Sequence, residues 1–170
     1  QMAVLLSQVA NGGTRYQPYV VSRVDNPDGT PAEIFGPKNL GVLPVPKNIM
    51  DLIREGLRDV TSEGGTAGEL FKGFPVAVAG KTGTAENAHG RDHGWFVAYA
   101  PYDKPQIVVV ALVEQGGFGA GSAGPIVRDI LSAYFKVPTS SSKTTDTKTT
   151  DTKTTTNKKE TQEIKPSVKE

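Results

Sequence analysis

Three β-rich segments with short polar connections, followed by one amphipathic helical segment, constrain this chain more than any other feature. Val76 to Ala85 is extended. Trp95 to Ala100 and Ile107 to Val113 are dense in aromatic and β-branched residues. The turn Tyr102-Asp103-Lys104-Pro105 joins the last two. Such spacing predicts an antiparallel meander. After the flexible stretch Gly116 to Gly121, Pro125 is expected to open a helix with Ile126, Val127, Ile130, Leu131 and Tyr134 on one face. That face must cover something, and the sheet is the large apolar partner nearby. The predicted class is α+β, an antiparallel sheet flanked by helices.

Two further helices are legible upstream. Met2, Leu5, Leu6 and Val9 recur at helical spacing, and Asn11-Gly12-Gly13 stops them. Pro46 opens a second helix, with the apolar stripe Ile49, Leu52, Ile53, Leu57 and Val60. Between these lies an insertion, Tyr16 to Leu43. Tyr19 to Val24 reads as a strand, Asn26-Pro27-Asp28-Gly29 as a turn, and Ala32 to Phe35 as the returning strand.

Composition changes sharply near the end. Hydrophobic residues make up 36% of the 170, and from Thr139 onward only Ile164 and Val168 are large and apolar. Lys143-Thr144-Thr145-Asp146-Thr147 repeats from Lys148 and then decays. Such a stretch buries too little to offset chain entropy. The chain is therefore divided into a folded part, 1–138, and a disordered Thr/Lys/Asp tether, 139–170. Net charge is +1 with both signs mixed, so nothing points to nucleic acid. Cysteine is absent, which excludes disulfide and thiolate chemistry. No run approaches the roughly 18 apolar residues of a membrane span. The chain opens inside a helical pattern and reads as a piece of a longer protein, whose membrane anchor is expected upstream.

The chemistry concentrates in Val78-Ala79-Gly80-Lys81-Thr82-Gly83-Thr84-Ala85-Glu86. An apolar strand runs into a cation, two hydroxyls and two glycines. Alternation puts Thr82 and Thr84 on one side. Gly83 between them lets a ligand's backbone approach. Such an edge suits an extended peptide ending in a carboxylate, held by strand addition, by the hydroxyls and by the charge of Lys81. Other candidates are weaker. Glu86, His89, Arg91, Asp92 and His93 crowd the following connection. His89 and His93 have a zinc-like spacing, but Gly90 and Gly94 argue against the helix it needs, so no metal is expected. Asp92 or His93 remains a candidate for the cleft rim. Gly64-Gly65-Thr66-Ala67-Gly68 lacks the Lys-Ser/Thr ending of a phosphate loop and reads as a turn, and no cofactor is expected. Trp95 and Phe96 read as core residues.

Lys81-Thr82-Gly83 on a strand, ahead of a meander and a closing helix, resembles the third motif of the penicillin-recognising serine acyltransferases. The resemblance extends along nearly all of Gln1 to Val137. Gln1-Met2-Ala3, Val9-Ala10-Asn11-Gly12-Gly13 and Pro18 resemble the helix and loop after the second motif. Gly80 to Glu86 resembles the class B form of the third motif, His93 to Pro101 the next strand, and Gly124 to Leu131 the closing helix. The similarity is to elongation-type penicillin-binding protein 2. It implies a D,D-transpeptidase on the extracytoplasmic face of the bacterial membrane. Such an enzyme cross-links peptidoglycan stem peptides through a serine acyl-enzyme, is acylated by beta-lactam antibiotics, and has other cell-wall elongation proteins as possible partners. Carried over by position, Lys81 supplies positive potential near the nucleophile. Thr82, Gly83 and Thr84 hold the substrate, and the Thr84 N–H forms half of an oxyanion hole.

The family's nucleophile motif Ser-x-x-Lys has one literal match, Ser140-Ser141-Ser142-Lys143, in the low-complexity tail. A nucleophile needs a helix that holds Ser and Lys in a dry pocket, so this match is rejected. The second motif, Ser-x-Asn, is absent. The chain alone is expected to be inactive, with its nucleophile upstream. A class D beta-lactamase and a beta-lactam-sensing receptor domain are the alternatives, separable by the speed of deacylation. Limited proteolysis should cleave rapidly after Val137 and leave 1–137 intact. Protection of the Thr-Lys repeats in amide exchange would overturn that boundary.

Overall fold

The computed structural model of the chain describes residues 1–138, and the expected tether lies outside the described residues. The elements run α1 (Met2–Ala10), β1 (Thr14–Tyr16), β2 (Arg23–Asp25), β3 (Pro31–Ile34), β4 (Asn39–Val42), α2 (Lys47–Thr61), α3 (Gly68–Phe71), β5 (Ala79–Ala85), β6 (His93–Ala100), β7 (Ile107–Val113) and α4 (Gly119–Phe135). The fold is α+β, as the pattern predicts.

The meander forms as read. The strand order is β5-β6-β7, antiparallel throughout. Its register sorts the side chains into two layers. Phe96 and Ala98 of β6, with Val109 and Ala111 of β7, face one way. They pack with Phe71 of α3 and with Ala123, Val127 and Leu131 of α4. Ala79 and Tyr99 face the other way and pack with Leu6 and Ala10 of α1, flanked by Leu57 of α2 and by Val97, Tyr102 and Val108. At the entry to β5, Arg58 of α2 donates to the Val78 carbonyl at 3.2 Å, and the Thr61 hydroxyl donates to the same oxygen.

The helix stop after α1 is chemical. The Asn11 side-chain carbonyl accepts the N–H groups of Gly13 and Thr14, at 3.2 and 2.8 Å, and Gly12 and Gly13 adopt positive φ. Residues 14–43 then leave the core. β1 pairs with β4 and β2 with β3, as two small antiparallel ribbons. Of the expected strand Tyr19 to Val24 only Arg23 and Val24 lie in a strand, Arg23–Asp25, and the returning strand is Pro31–Ile34 rather than Ala32 to Phe35. β1 and β4 have no counterpart in the sequence reading. Their pairing joins residues far apart in the chain, which no local periodicity reveals.

Two apolar faces differ from the reading. α4 begins at Gly119, and Pro125 lies inside it rather than opening it. Its buried line is Ala123, Gly124, Val127, Leu131 and Ser132, while Ile126, Ile130 and Tyr134 are 43–50% exposed. The small residues choose the face. A Cβ on Gly119 would stand 2.0 Å from the Trp95 carbonyl oxygen and 2.4 Å from that of Gly83. A Cβ on Gly124 would stand 2.6 Å from Leu70 Cδ2. Only glycine allows this approach, and the contact outweighs glycine's poor helix propensity. On α2, likewise, Met50 is buried whereas Ile49, Leu52 and Ile53 are exposed. Leu57 and Val60 reach the two core clusters.

Among the described residues three polar side-chain atoms are buried without a partner, Arg54 Nε, Arg128 Nε and the Tyr99 hydroxyl. Burial pushes the Tyr99 phenol up, against a smaller opposing effect of the Arg54 guanidinium. The Arg54 side chain also donates to the Tyr102 carbonyl at 2.9 Å and lies over the Tyr102 ring.

The revised face of α4 makes a contrast testable. Val127→Asp should lose at least about 3 kcal/mol, from lost packing plus a buried charge. Ile130→Asp, on the outer line, should stay within about 1 kcal/mol of the parent. Urea unfolding of both variants measures the difference, and equal losses would contradict the packing of α4.

Candidate functional site

β5 is an outer strand of the three-stranded sheet, and its burial falls along its length. Ala79 and Gly80 are buried, Thr82 and Gly83 half-buried, and Lys81, Thr84 and Ala85 exposed. The first part anchors the strand and the second presents it. Gly80 belongs to the anchor. A Cβ there would meet the Val97 carbonyl oxygen at 2.6 Å, Phe96 Cε1 at 3.2 Å and Ala98 Cβ at 3.3 Å. Gly83 is different: its nearest neighbour would be Trp95 Cβ, at 3.1 Å. Trp95 itself is half-buried, not in the core with Phe96.

Register shows how the polar groups converge. Lys81 stands opposite Val97 and Gly83 opposite Trp95, on the α1 face of the sheet. Thr82 stands opposite Phe96 and Thr84 opposite Gly94, on the α4 face. Lys81 and the two threonines therefore start on opposite faces. The Lys81 side chain turns back along its strand, donating to the Thr82 carbonyl at 2.7 Å and lying 3.4 Å from the Thr82 hydroxyl. Ammonium and hydroxyl thus meet. Among the described residues Lys81 pairs with no carboxylate. Its charge is available to an anionic ligand.

The back of this segment is closed by α4. Gly94, opposite Thr84, has no room for a Cβ, which would stand 2.0 Å from Ser122 Oγ. Gly119 lies against the carbonyls of Gly83 and Trp95, as described above. The Thr82-Gly83-Thr84 backbone is thus backed by the first turn of a helix while its outer side stays open. An extended peptide can approach such an edge by strand addition.

The neighbouring candidates separate. His89 is exposed, in a turn where its N–H donates to the Asn87 side-chain carbonyl at 3.1 Å. His93 begins β6, and its Nδ1 accepts the Gln115 N–H at 3.0 Å. The Asp92 carbonyl accepts the Gly117 N–H at 2.8 Å. Among the described residues no three His, Asp or Glu side chains are placed to hold a metal ion. Gly64 to Gly68 is a turn running into α3, with buried Gly68 against the Ser62 carbonyl. Ser140-Ser141-Ser142-Lys143 lies outside the described residues. Gly119 and Gly94 carry no functional signal in the sequence; only the helix packed on the strand shows what they do.

Residues 1–132 match the family model of the penicillin binding protein transpeptidase domain. The chain belongs to this family. Peptidoglycan D,D-transpeptidase PbpA of Mycolicibacterium smegmatis is 33% identical over 147 residues, covering 78% of this chain and 28% of the relative. Peptidoglycan D,D-transpeptidase MrdA of Haemophilus influenzae is 37% identical over 90 residues, covering 44% of this chain and 14% of the relative. Among solved structures, the imipenem acyl-enzyme of penicillin-binding protein A from Mycobacterium tuberculosis matches with a TM-score of 0.68. It is 30% identical and covers 78% of this chain and 29% of that one. The chain thus spans under a third of the penicillin-binding proteins it matches. No helix among the described residues is long and apolar enough to cross a membrane.

The two strand glycines should respond differently to a methyl group. Gly80→Ala meets the Val97 carbonyl oxygen at 2.6 Å and should cost about 1–3 kcal/mol, whereas Gly83→Ala meets no backbone atom, only Trp95 Cβ at 3.1 Å, and should cost under about 1 kcal/mol. Thermal melting of the two variants decides it. The reverse order would place Gly83, not Gly80, in the anchor.

Proposed function

We propose that this chain is the substrate-holding part of a peptidoglycan D,D-transpeptidase that cross-links stem peptides through a serine acyl-enzyme and is acylated by beta-lactams. The observation that carries the reading is the open outer strand Lys81-Thr82-Gly83-Thr84, whose ammonium lies beside a hydroxyl and pairs with no carboxylate among the described residues, inside a transpeptidase-family chain. The family match favours a transpeptidase over a class D beta-lactamase or a sensing domain. The nucleophile comes from a part of the protein outside this chain, so the chain alone is inactive. Extracytoplasmic location, a membrane anchor elsewhere in the protein, a role in cell shape and association with elongation proteins follow from the same kinship. The tail, 139–170, serves as a polar tether.

In this reading the terminal carboxylate of the stem peptide, or the equivalent carboxylate of a beta-lactam, accepts from Lys81 and from the hydroxyls of Thr82 and Thr84. Gly83 lets the substrate backbone lie against the strand. As the nucleophile attacks the carbonyl, negative charge develops on its oxygen, and the Thr84 N–H donates to it. A donor fixed in place before the charge forms needs no reorganisation, which is why such groups lower barriers. The carbonyls of Gly83 and Trp95 packed on Gly119 supply that fixity.

In the complete protein, Thr82→Val and Thr84→Val should each slow acylation about ten- to a hundredfold, the value of one charge-assisted hydrogen bond. Lys81→Ala should be slower still, because its charge acts on both the carboxylate and the nucleophile. The second-order rate of labelling by a fluorescent penicillin, on variants of matched melting temperature, measures this. Labelling of Lys81→Ala at the parent rate would overturn the role of the strand.

A further inference from the structure

His93 is the residue of the crowded connection whose side chain bonds to the backbone of a distant segment, and the substrate-holding reading leaves it without a task. Its Nδ1 accepts the backbone N–H of Gln115 at 3.0 Å, across 22 residues of sequence. The acceptor role requires an unprotonated Nδ1. One residue before it, the Asp92 carbonyl accepts the N–H of Gly117 at 2.8 Å. These two bonds tie the start of β6 to the connection between β7 and α4.

That connection is held in an unfavourable conformation. Gln115 has φ 54° and Gly117 φ 73°. A non-glycine residue in the left-handed region costs on the order of 1 kcal/mol, and such a residue persists where its surroundings fix it. The connection also packs closely. A Cβ on Gly90 would stand 2.9 Å from Gln115 Oε1, and one on Gly117 would stand 3.1 Å from Arg91 Nη2. Two residues beyond Gly117, α4 begins with Gly119, the residue seated on the carbonyls of Gly83 and Trp95. A chain of contacts therefore runs from the imidazole, through Gln115 to Phe118, to the backbone of the substrate-holding strand.

We propose that His93 is a positioning residue for acyl transfer: its Nδ1 fixes the β7–α4 connection, which seats Gly119 behind Gly83 and holds the Thr84 N–H where the developing oxyanion forms. The inference rests on the transpeptidase reading above. It predicts that the imidazole acts through the geometry of one acceptor atom. In asparagine, Oδ1 stands where Nδ1 stands in histidine, the same number of bonds from the backbone. In glutamine the acceptor lies one bond further out.

The test uses the complete protein with His93→Ala, His93→Asn and His93→Gln, and Lys81→Ala as a control. The first-order acylation rate constant at saturating penicillin is separated from the dissociation constant of the preceding complex. His93→Ala and His93→Gln should lower the rate constant about tenfold, corresponding to about 1.4 kcal/mol in the transition state, with the dissociation constant within about twofold. His93→Asn should stay within about twofold of the parent in both. A residue that merely supports the fold would shift melting temperature alike in all three and leave the rate constant of the folded fraction unchanged. Equal slowing by Asn and Ala, or parent rates for Ala with Lys81→Ala slow, overturns this inference alone. Parent rates for Lys81→Ala overturn the reading on which it rests. Nitrogen-15 shifts of the His93 ring in the parent protein give a second check, independent of variant folding: an Nδ1 that carries the proton at neutral pH overturns the proposal.

Discussion

The rest of the described structure depends on how closely α4 can lie on the meander. Two side-chain-free positions set that distance, Gly94 in β6 and Gly119 in the first turn of α4, while Gly124 further along the helix makes room for Leu70 of α3. A Cβ at Gly119 would overlap two backbone carbonyls, which cannot move without unpairing β5 from β6. With the helix seated there, Val127 and Leu131 reach Phe96 and Ala98, and one core cluster forms. The hydrophobic contribution is non-directional. The glycines give it a direction, because they fix the depth and the rotation of the helix.

The same contact has a second consequence. Packing α4 behind Gly83 and Trp95 closes one side of the Lys-Thr-Gly-Thr segment and leaves its outer side open. The strand passes from a buried anchor at Ala79 and Gly80 to an exposed stretch at Lys81 to Ala85 within seven residues. An edge that is rigid on one side and unpaired on the other is what an extended ligand needs, since main-chain pairing then costs little ordering on the protein's side. Lys81 adds a further feature. Its backbone register places it on the opposite face from Thr82 and Thr84, and the length of its side chain brings the ammonium back to Thr82.

Much of the fold was legible because it is local. The limits of β7 were read to the residue, and β6 was read to within two residues at one end. The stop after α1 follows from asparagine and glycine chemistry. The failures share one cause. Ile126, Ile130 and Tyr134 are as apolar as Val127 and Leu131, and Ile49, Leu52 and Ile53 as apolar as Leu57. Periodicity marks an apolar stripe but cannot say which half of a wide stripe meets a partner. The pairing of β1 with β4 was missed for a related reason, since register between distant segments leaves no periodic trace.

For the site, the sequence determined the cast: a cation, two hydroxyls and the intervening glycine on a strand that precedes a meander, and the family that carries them. Residue type and two-residue alternation suffice for that, because both are properties of the chain itself. Only the tertiary structure decided which of these groups meet, which glycine is structural and which is open, and what stands behind the strand. Those are distances between segments tens of residues apart, and they are set by the packing of a helix whose own contact surface the sequence left undetermined.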